Sequence, residues 1–162
     1  MDSWIFAAVL GAAVVHIFEE YVYPGGFPDA LQRLLPGARH LLTPRFHIVV
    51  NGLFLLLCVC SVLIGKANLV LSLSAFGLVF ANALLHIRGA IVTRRYYPGV
   101  ISGTFIYIPL AVYAYSVFLS SGQLTWVEGG LSVLLGGLYM AGLMGYVLLR
   151  AVRRPHPEQP RS

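Results

Sequence analysis

Five stretches of about 20 mostly apolar residues, near 3–23, 45–65, 68–90, 100–120 and 127–150, take up most of this chain and dictate its architecture. A helix of that length crosses the roughly 30 Å hydrocarbon core of a bilayer. In lipid such a segment must satisfy its own backbone hydrogen bonds, which a helix does. With 58% hydrophobic and 10% charged residues, 162 residues cannot clothe a water-soluble surface of the usual kind. The expected fold is all-α: a polytopic membrane protein, a bundle of five transmembrane helices forming one domain over 1–152. A polar cytoplasmic tail over 153–162 follows. The connection from Pro24 to Pro44 is the one longer link, and no internal repeat or soluble domain is evident.

The arginines predict the topology. Arg33, Arg39 and Arg45 fall in the first link, Arg88, Arg94 and Arg95 around the third, and Arg150, Arg153, Arg154 and Arg161 after the fifth helix. Five spans put these ten on one side, with Lys66 alone on the other, so the positive-inside rule predicts the N-terminus out and the C-terminus in. Trp4 and Trp126 then mark the outer interface, and Tyr21, Tyr23, Tyr96 and Tyr97 the inner one. Asp2 is the only early charged side chain, so the first segment reads as a retained helix and not a signal peptide. No organelle-targeting presequence is evident, which makes a bacterial inner membrane the default location. The basic charge reads as topology, not nucleic-acid binding.

This topology assigns a depth to every polar residue within the spans. His16, Glu19 and Glu20 come in the last turns of the first helix, His47 and Asn51 in the first turns of the second, Asn82 and His86 near the end of the third. All reach one layer near the cytoplasmic face. Spacings of three and four residues put each set on one helix face. An ionisable side chain inside a membrane segment costs roughly 2.5–3.5 kcal/mol on insertion scales, so such a cluster reads as a functional site. Imidazole and carboxylate are ligands favoured by zinc, iron and manganese, and helical bundles build metal sites from Glu and His three residues apart. His16, Glu19, Glu20, His47 and His86 are therefore the candidate ligands of a divalent metal, zinc or iron. Glu20 and Glu19 are the candidate catalytic carboxylates. Asn51, Asn82, Arg88 and Tyr96 are candidates for orienting ligands or substrate.

His16-Ile17-Phe18-Glu19-Glu20, a later helical histidine at His86, and Tyr96-Tyr97-Pro98-Gly99 as a Y-x-P-G element together resemble the HXXEE-domain membrane proteins. The resemblance covers roughly the first 105 residues. It implies a small polytopic membrane protein with this His/Glu site, without implying a reaction.

The leading expectation is a metal-dependent membrane enzyme acting at the cytoplasmic leaflet on a lipid or other apolar small molecule. Hydrolysis and di-iron-type oxidation both fit. The alternatives are a proton-coupled transporter or relay, in which the same groups titrate without metal, and a non-catalytic membrane assembly protein. Membrane lipids are the expected partners. Cys58 and Cys60, two residues apart on a helix, point to different faces and read as packing residues. The segment from Asp29 to Leu42, broken by Pro36 and Gly37, reads as an interfacial helix covering the site. Gly129, Gly130, Gly136, Gly137, Gly142 and Gly145 suggest close packing of the fifth helix.

Overall fold

Helix boundaries in the computed structural model, which describes residues 3–152, fall where capping chemistry permits. The tail expected over 153–162 lies outside the described residues. Helix α1 (Trp4–Tyr21) ends in a turn through Gly25 and Gly26, both at positive φ. Gly26 leads into the short α2 (Phe27–Leu34), which has proline in its first turn, Asp29 near its N-terminus and Arg33 in its last turn, as the helix dipole favours. A 3-10 turn, Pro36–Ala38, follows. Thr43 Oγ1 then accepts from Phe46 N and caps α3 (Pro44–Ile64). Asn68 Oδ1 does the same for Leu71 N at the head of α4 (Leu69–Thr93).

The next span begins as α5 (Val100–Ser102), passes through a π-helical turn at Gly103–Tyr107 and continues as α6 (Ile108–Ser120). The widened turn comes just ahead of Pro109, whose ring cannot donate a backbone bond and would crowd the carbonyl four residues back. The last helix is α7 (Trp126–Val152). Five segments are long and apolar enough to cross a membrane: residues 4–21, 44–67, 69–93, 100–120 and 126–150. These agree with the expected spans to within a few residues. Among the described residues there is no strand.

Helix α4 is the hub, touching α1, α3, α6 and α7. Its tightest neighbour is α7, because Gly77 and Gly136 let the two backbones approach. A Cβ on Gly77 would stand 2.9 Å from Val133 Cα, and one on Gly136 would run into the backbone at Ser74 and Leu78. The other glycines of α7 depart from the sequence expectation. Gly130, Gly137, Gly142 and Gly145 face open space, and Gly129 makes only ordinary contact.

The far half of the bundle is packed mainly with apolar side chains. Phe6 stacks on Phe118 at 5.6 Å between ring centroids and meets Phe76 edge-on, with Ile5, Val9 and Leu73 around them. Trp4 and Trp126 are exposed at that far end, and Lys66 lies there too. The polar end gathers the close of α1 and α4, the start of α3 and α5, and the whole of α2 lying across them. Cys58 and Cys60 are free thiols in α3.

Candidate metal centre

Helix α1 turns His16, Glu19 and Glu20 into the bundle, each at most 7% exposed, while Phe18 between them is half exposed. The two adjacent glutamates then diverge. Glu19 reaches the first turn of α5, where Oε1 accepts from Gly99 N and Ile101 N, both at 3.1 Å, and from the Tyr96 hydroxyl at 2.8 Å. Its Oε2 accepts from Ser102 N at 2.7 Å and from the Ser102 hydroxyl. Glu19 is thus a capping carboxylate supplied by another helix, satisfying N–H groups that a helix N-terminus leaves open. Glu20 instead meets two imidazoles. Its Oε1 lies 3.1 Å from His86 Nε2 and 3.6 Å from His16 Nε2.

The protons on these imidazoles follow from their other nitrogens. His86 Nδ1 is 2.6 Å from the carbonyl oxygen of Pro98, which can only accept, so Nδ1 carries a hydrogen. His16 Nδ1 is 2.7 Å from Ser102 Oγ, whose single hydrogen goes to Glu19, so that oxygen accepts and His16 Nδ1 donates. In neutral rings both Nε2 atoms therefore present lone pairs, and they converge with Glu20 Oε1, a third electron-pair donor. Ligand atoms of His16, Glu20 and His86 lie within 4.8 Å of one another, the group among the described residues that could hold a metal ion. Ligands held tetrahedrally at about 2.0–2.1 Å from a metal stand about 3.3 Å apart, between the two separations seen here. A histidine whose Nδ1–H is anchored to a carbonyl or hydroxyl is the usual orientation for ligation through Nε2.

The Y-x-P-G element builds the wall of this site. Tyr96 donates to Glu19, Pro98 supplies the carbonyl for His86, and Gly99 supplies an N–H to Glu19. Gly99 is required twice over: its φ is +90°, and a Cβ there would stand 2.5 Å from His86 Nδ1 and 2.8 Å from His16 Cε1. Tyr97 is buried against Gly89, with Phe27 and His86 near its ring. Burial, then the charge of Glu20, pushes the Tyr97 hydroxyl up to about 12, while Arg33 pulls the other way. Burial and the bond to Glu19 also raise the Tyr96 hydroxyl, which keeps it a donor.

Glu20 and His86 open onto a cavity of about 290 Å³ between α3, α4 and α7, roofed by α2. Phe27, Leu31 and Leu35 form the roof, so of the segment from Asp29 to Leu42 expected to cover the site it is the part up to Leu35, extended back to Phe27, that lines the cavity. His47, Asn51, Asn82 and Arg88 line the same cavity. His47 and Glu19, both expected as ligands, stand outside the converging group. Asn51 Nδ2 donates to Tyr21 Oη and His47 O, and Asn82 Oδ1 has no partner among the described residues. Tyr96 acts on Glu19 and not in the cavity.

Two contributors escaped the sequence reading. Ser102 links Glu19 to His16, and its only sequence signal was a small hydroxyl three residues after the Pro98-Gly99 turn. Tyr21, read as an interfacial anchor, bonds to His47 and Asn51.

No curated protein and no solved structure matches the chain. A family model does: the one described as "Protein of unknown function with HXXEE motif" matches residues 4–114. That stretch holds both glutamates, His86 and the whole Tyr96–Ser102 wall, so the match covers the site itself, and the chain belongs to the family of proteins with the HXXEE motif.

Proposed function

We propose that this chain is a metal-dependent integral membrane enzyme that holds zinc or iron through His16, Glu20 and His86. Its substrate is a lipid or other apolar small molecule, met at the cytoplasmic leaflet. One observation carries the reading: both histidines spend their Nδ1 hydrogens on outside acceptors, leaving two lone pairs and a carboxylate aimed at one point. Three such donors repel one another until a cation joins them. Two histidines with one carboxylate, and a position left over, is the pattern of catalytic zinc and non-haem iron sites.

A metal held there supplies Lewis acidity or redox chemistry at the remaining position. The protein's own residues do the rest. Glu20, which lines the cavity, would hold the metal through Oε1 and leave its second oxygen as a proton acceptor, and the apolar walls hold the substrate and keep water out. Glu19 serves as a positioning residue, since its oxygens are taken by the α5 cap. The arginines at the polar end, Arg33, Arg39, Arg45, Arg94, Arg95 and Arg150 among them, support a cytoplasmic site with the N-terminus outside. The apolar core of Phe6, Phe76 and Phe118 in the other half argues against a proton path across the bundle.

Elemental analysis of the detergent-purified protein tests this. The wild type is expected to carry near-stoichiometric metal that Glu20→Gln and His86→Ala lose; zinc would favour hydrolysis, iron oxidation. No metal after reconstitution with zinc, iron and manganese would overturn the reading in favour of a proton relay.

A further inference from the structure

The cavity has a second polar wall that metal binding does not use. Tyr21 Oη lies 3.0 Å from His47 Nδ1, and Asn51 Nδ2 donates both to Tyr21 Oη and to His47 O, each at 3.0 Å. Asn51 thereby spends both amide hydrogens. Tyr21 has one hydroxyl hydrogen, and among the described residues His47 Nδ1 is the acceptor placed to receive it. His47 Nδ1 therefore accepts, and the ring proton sits on Nε2. That Nε2 is buried and has no partner among the described residues, on a side chain only 7% exposed. The tautomer is opposite to that of His16 and His86. Where those two offer lone pairs, His47, one of the residues lining the cavity, carries an Nε2 hydrogen with no acceptor among the described residues.

The rest of the cavity describes its occupant. It follows α4 from Leu78 to Val92, about 21 Å at 1.5 Å per residue, yet encloses only about 290 Å³. A long, narrow space at the low end of small-molecule sites suits one hydrocarbon chain and not two. Leu78 and Phe54, both buried, and Met140 give it an apolar lining, whereas Arg88 is an exposed residue of the same lining.

We propose that the cavity binds a single-chain acyl amphiphile whose carbonyl oxygen accepts the hydrogen on His47 Nε2, with its chain toward Leu78 and its head toward Arg88. This rests on the cavity being the substrate chamber of the proposed enzyme, and it adds the substrate class and the group that recognises it. Tyr21 is the positioning residue, because its hydroxyl sets the tautomer.

The test uses the full chain in a non-ionic detergent with EDTA present, so that metal-dependent turnover is stopped. The probe is methyl dodecanoate labelled with ¹³C at its carbonyl. Saturable binding to the wild type is expected, with the bound carbonyl resonance moved downfield by the hydrogen bond. His47→Phe should bind roughly tenfold more weakly and lose the shift, whereas His47→Gln, whose amide keeps a donor, should retain it. Tyr21→Phe should reduce the shift. Metal content of His47→Phe should equal that of the wild type. An unshifted carbonyl on the wild type, absent saturable binding, or loss of metal in His47→Phe would each overturn the proposal. A wild type without metal that still shifts the carbonyl would sink the enzyme reading and leave this one standing.

Discussion

Glu19 and Glu20 are neighbours in sequence, equally buried, yet they live in opposite surroundings. Around Glu19 the first turn of α5, Tyr96 and Ser102 supply hydrogen-bond donors to both oxygens. Around Glu20 the contacts to Oε1 are two imidazole nitrogens, and in neutral rings both hydrogens sit on the other side. A buried carboxylate satisfied by backbone donors holds structure together, and one surrounded by lone pairs is a site awaiting a positive charge. A single residue step, about 100° around the helix, separates a structural use of negative charge from a chemical one.

Replacing each carboxylate by its amide breaks that contrast most directly. Glu19→Gln turns an acceptor into an NH₂ group facing N–H donors, leaving several of them unsatisfied in a buried place. A loss of about 3 kcal/mol or more in stability is expected, read as a large fall in melting temperature in detergent. Glu20→Gln in metal-free protein should change stability by less than about 1 kcal/mol, because its amide can donate to the lone pairs of the two Nε2 atoms. If Glu20→Gln proves as destabilising as Glu19→Gln, the histidines are imidazolium cations paired with Glu20, and the contrast drawn above is false.

A smaller effect comes from the glycine that lies against both regions. Gly99→Ala adds a Cβ against His86 and places it on a backbone at φ +90°. Gly26 has a similar φ of +89° with open space where its Cβ would be, so Gly26→Ala measures the backbone cost alone. Both variants should lose stability by about 1–3 kcal/mol, but only Gly99→Ala should also weaken metal binding in a competition titration, since only there does the side chain push a ligand. Equal metal affinity in the two variants would mean that His86 is not held where the metal needs it.

How much of this could be read beforehand differs from one part to the next. The five spans were legible because about 20 apolar residues in lipid have one stable form, and their ends moved by only a few residues. The shared face of His16, Glu19 and Glu20 was legible from helical periodicity. Which carboxylate met which partner was not, because the deciding donors come from Tyr96 to Ser102, some 80 residues on, in a turn whose course depends on the folded bundle. The same limit applies to α7, where Gly136 and Gly137 look identical in sequence and only the packing register against α4 makes one of them indispensable. His47 passed for a ligand by its residue type. Its tautomer is set by Tyr21, 26 positions away, a residue whose place near a membrane interface already had a sufficient explanation.

Ser102 joins the two regions, and removing its hydroxyl should give the mildest and most discriminating effect. Its hydrogen goes to Glu19 and its oxygen receives the His16 Nδ1 hydrogen, so one atom connects the cap to the ligand set. In Ser102→Ala the backbone N–H still reaches Glu19, as do Gly99, Ile101 and Tyr96, and the cap should survive with a loss of about 1 kcal/mol. His16 loses more, because the acceptor that fixed its hydrogen on Nδ1 is gone and the ring is free to place it on Nε2, where it would block ligation. Losing an outer partner of this kind typically weakens metal affinity by about 10–100-fold. Ser102→Thr, which keeps the hydroxyl, should recover most of that affinity. If Ser102→Ala instead lowers the melting temperature as far as Glu19→Gln does while leaving metal affinity unchanged, Ser102 belongs wholly to the cap, and His16 draws its orientation from the Tyr107 ring packed against it at 4.5 Å.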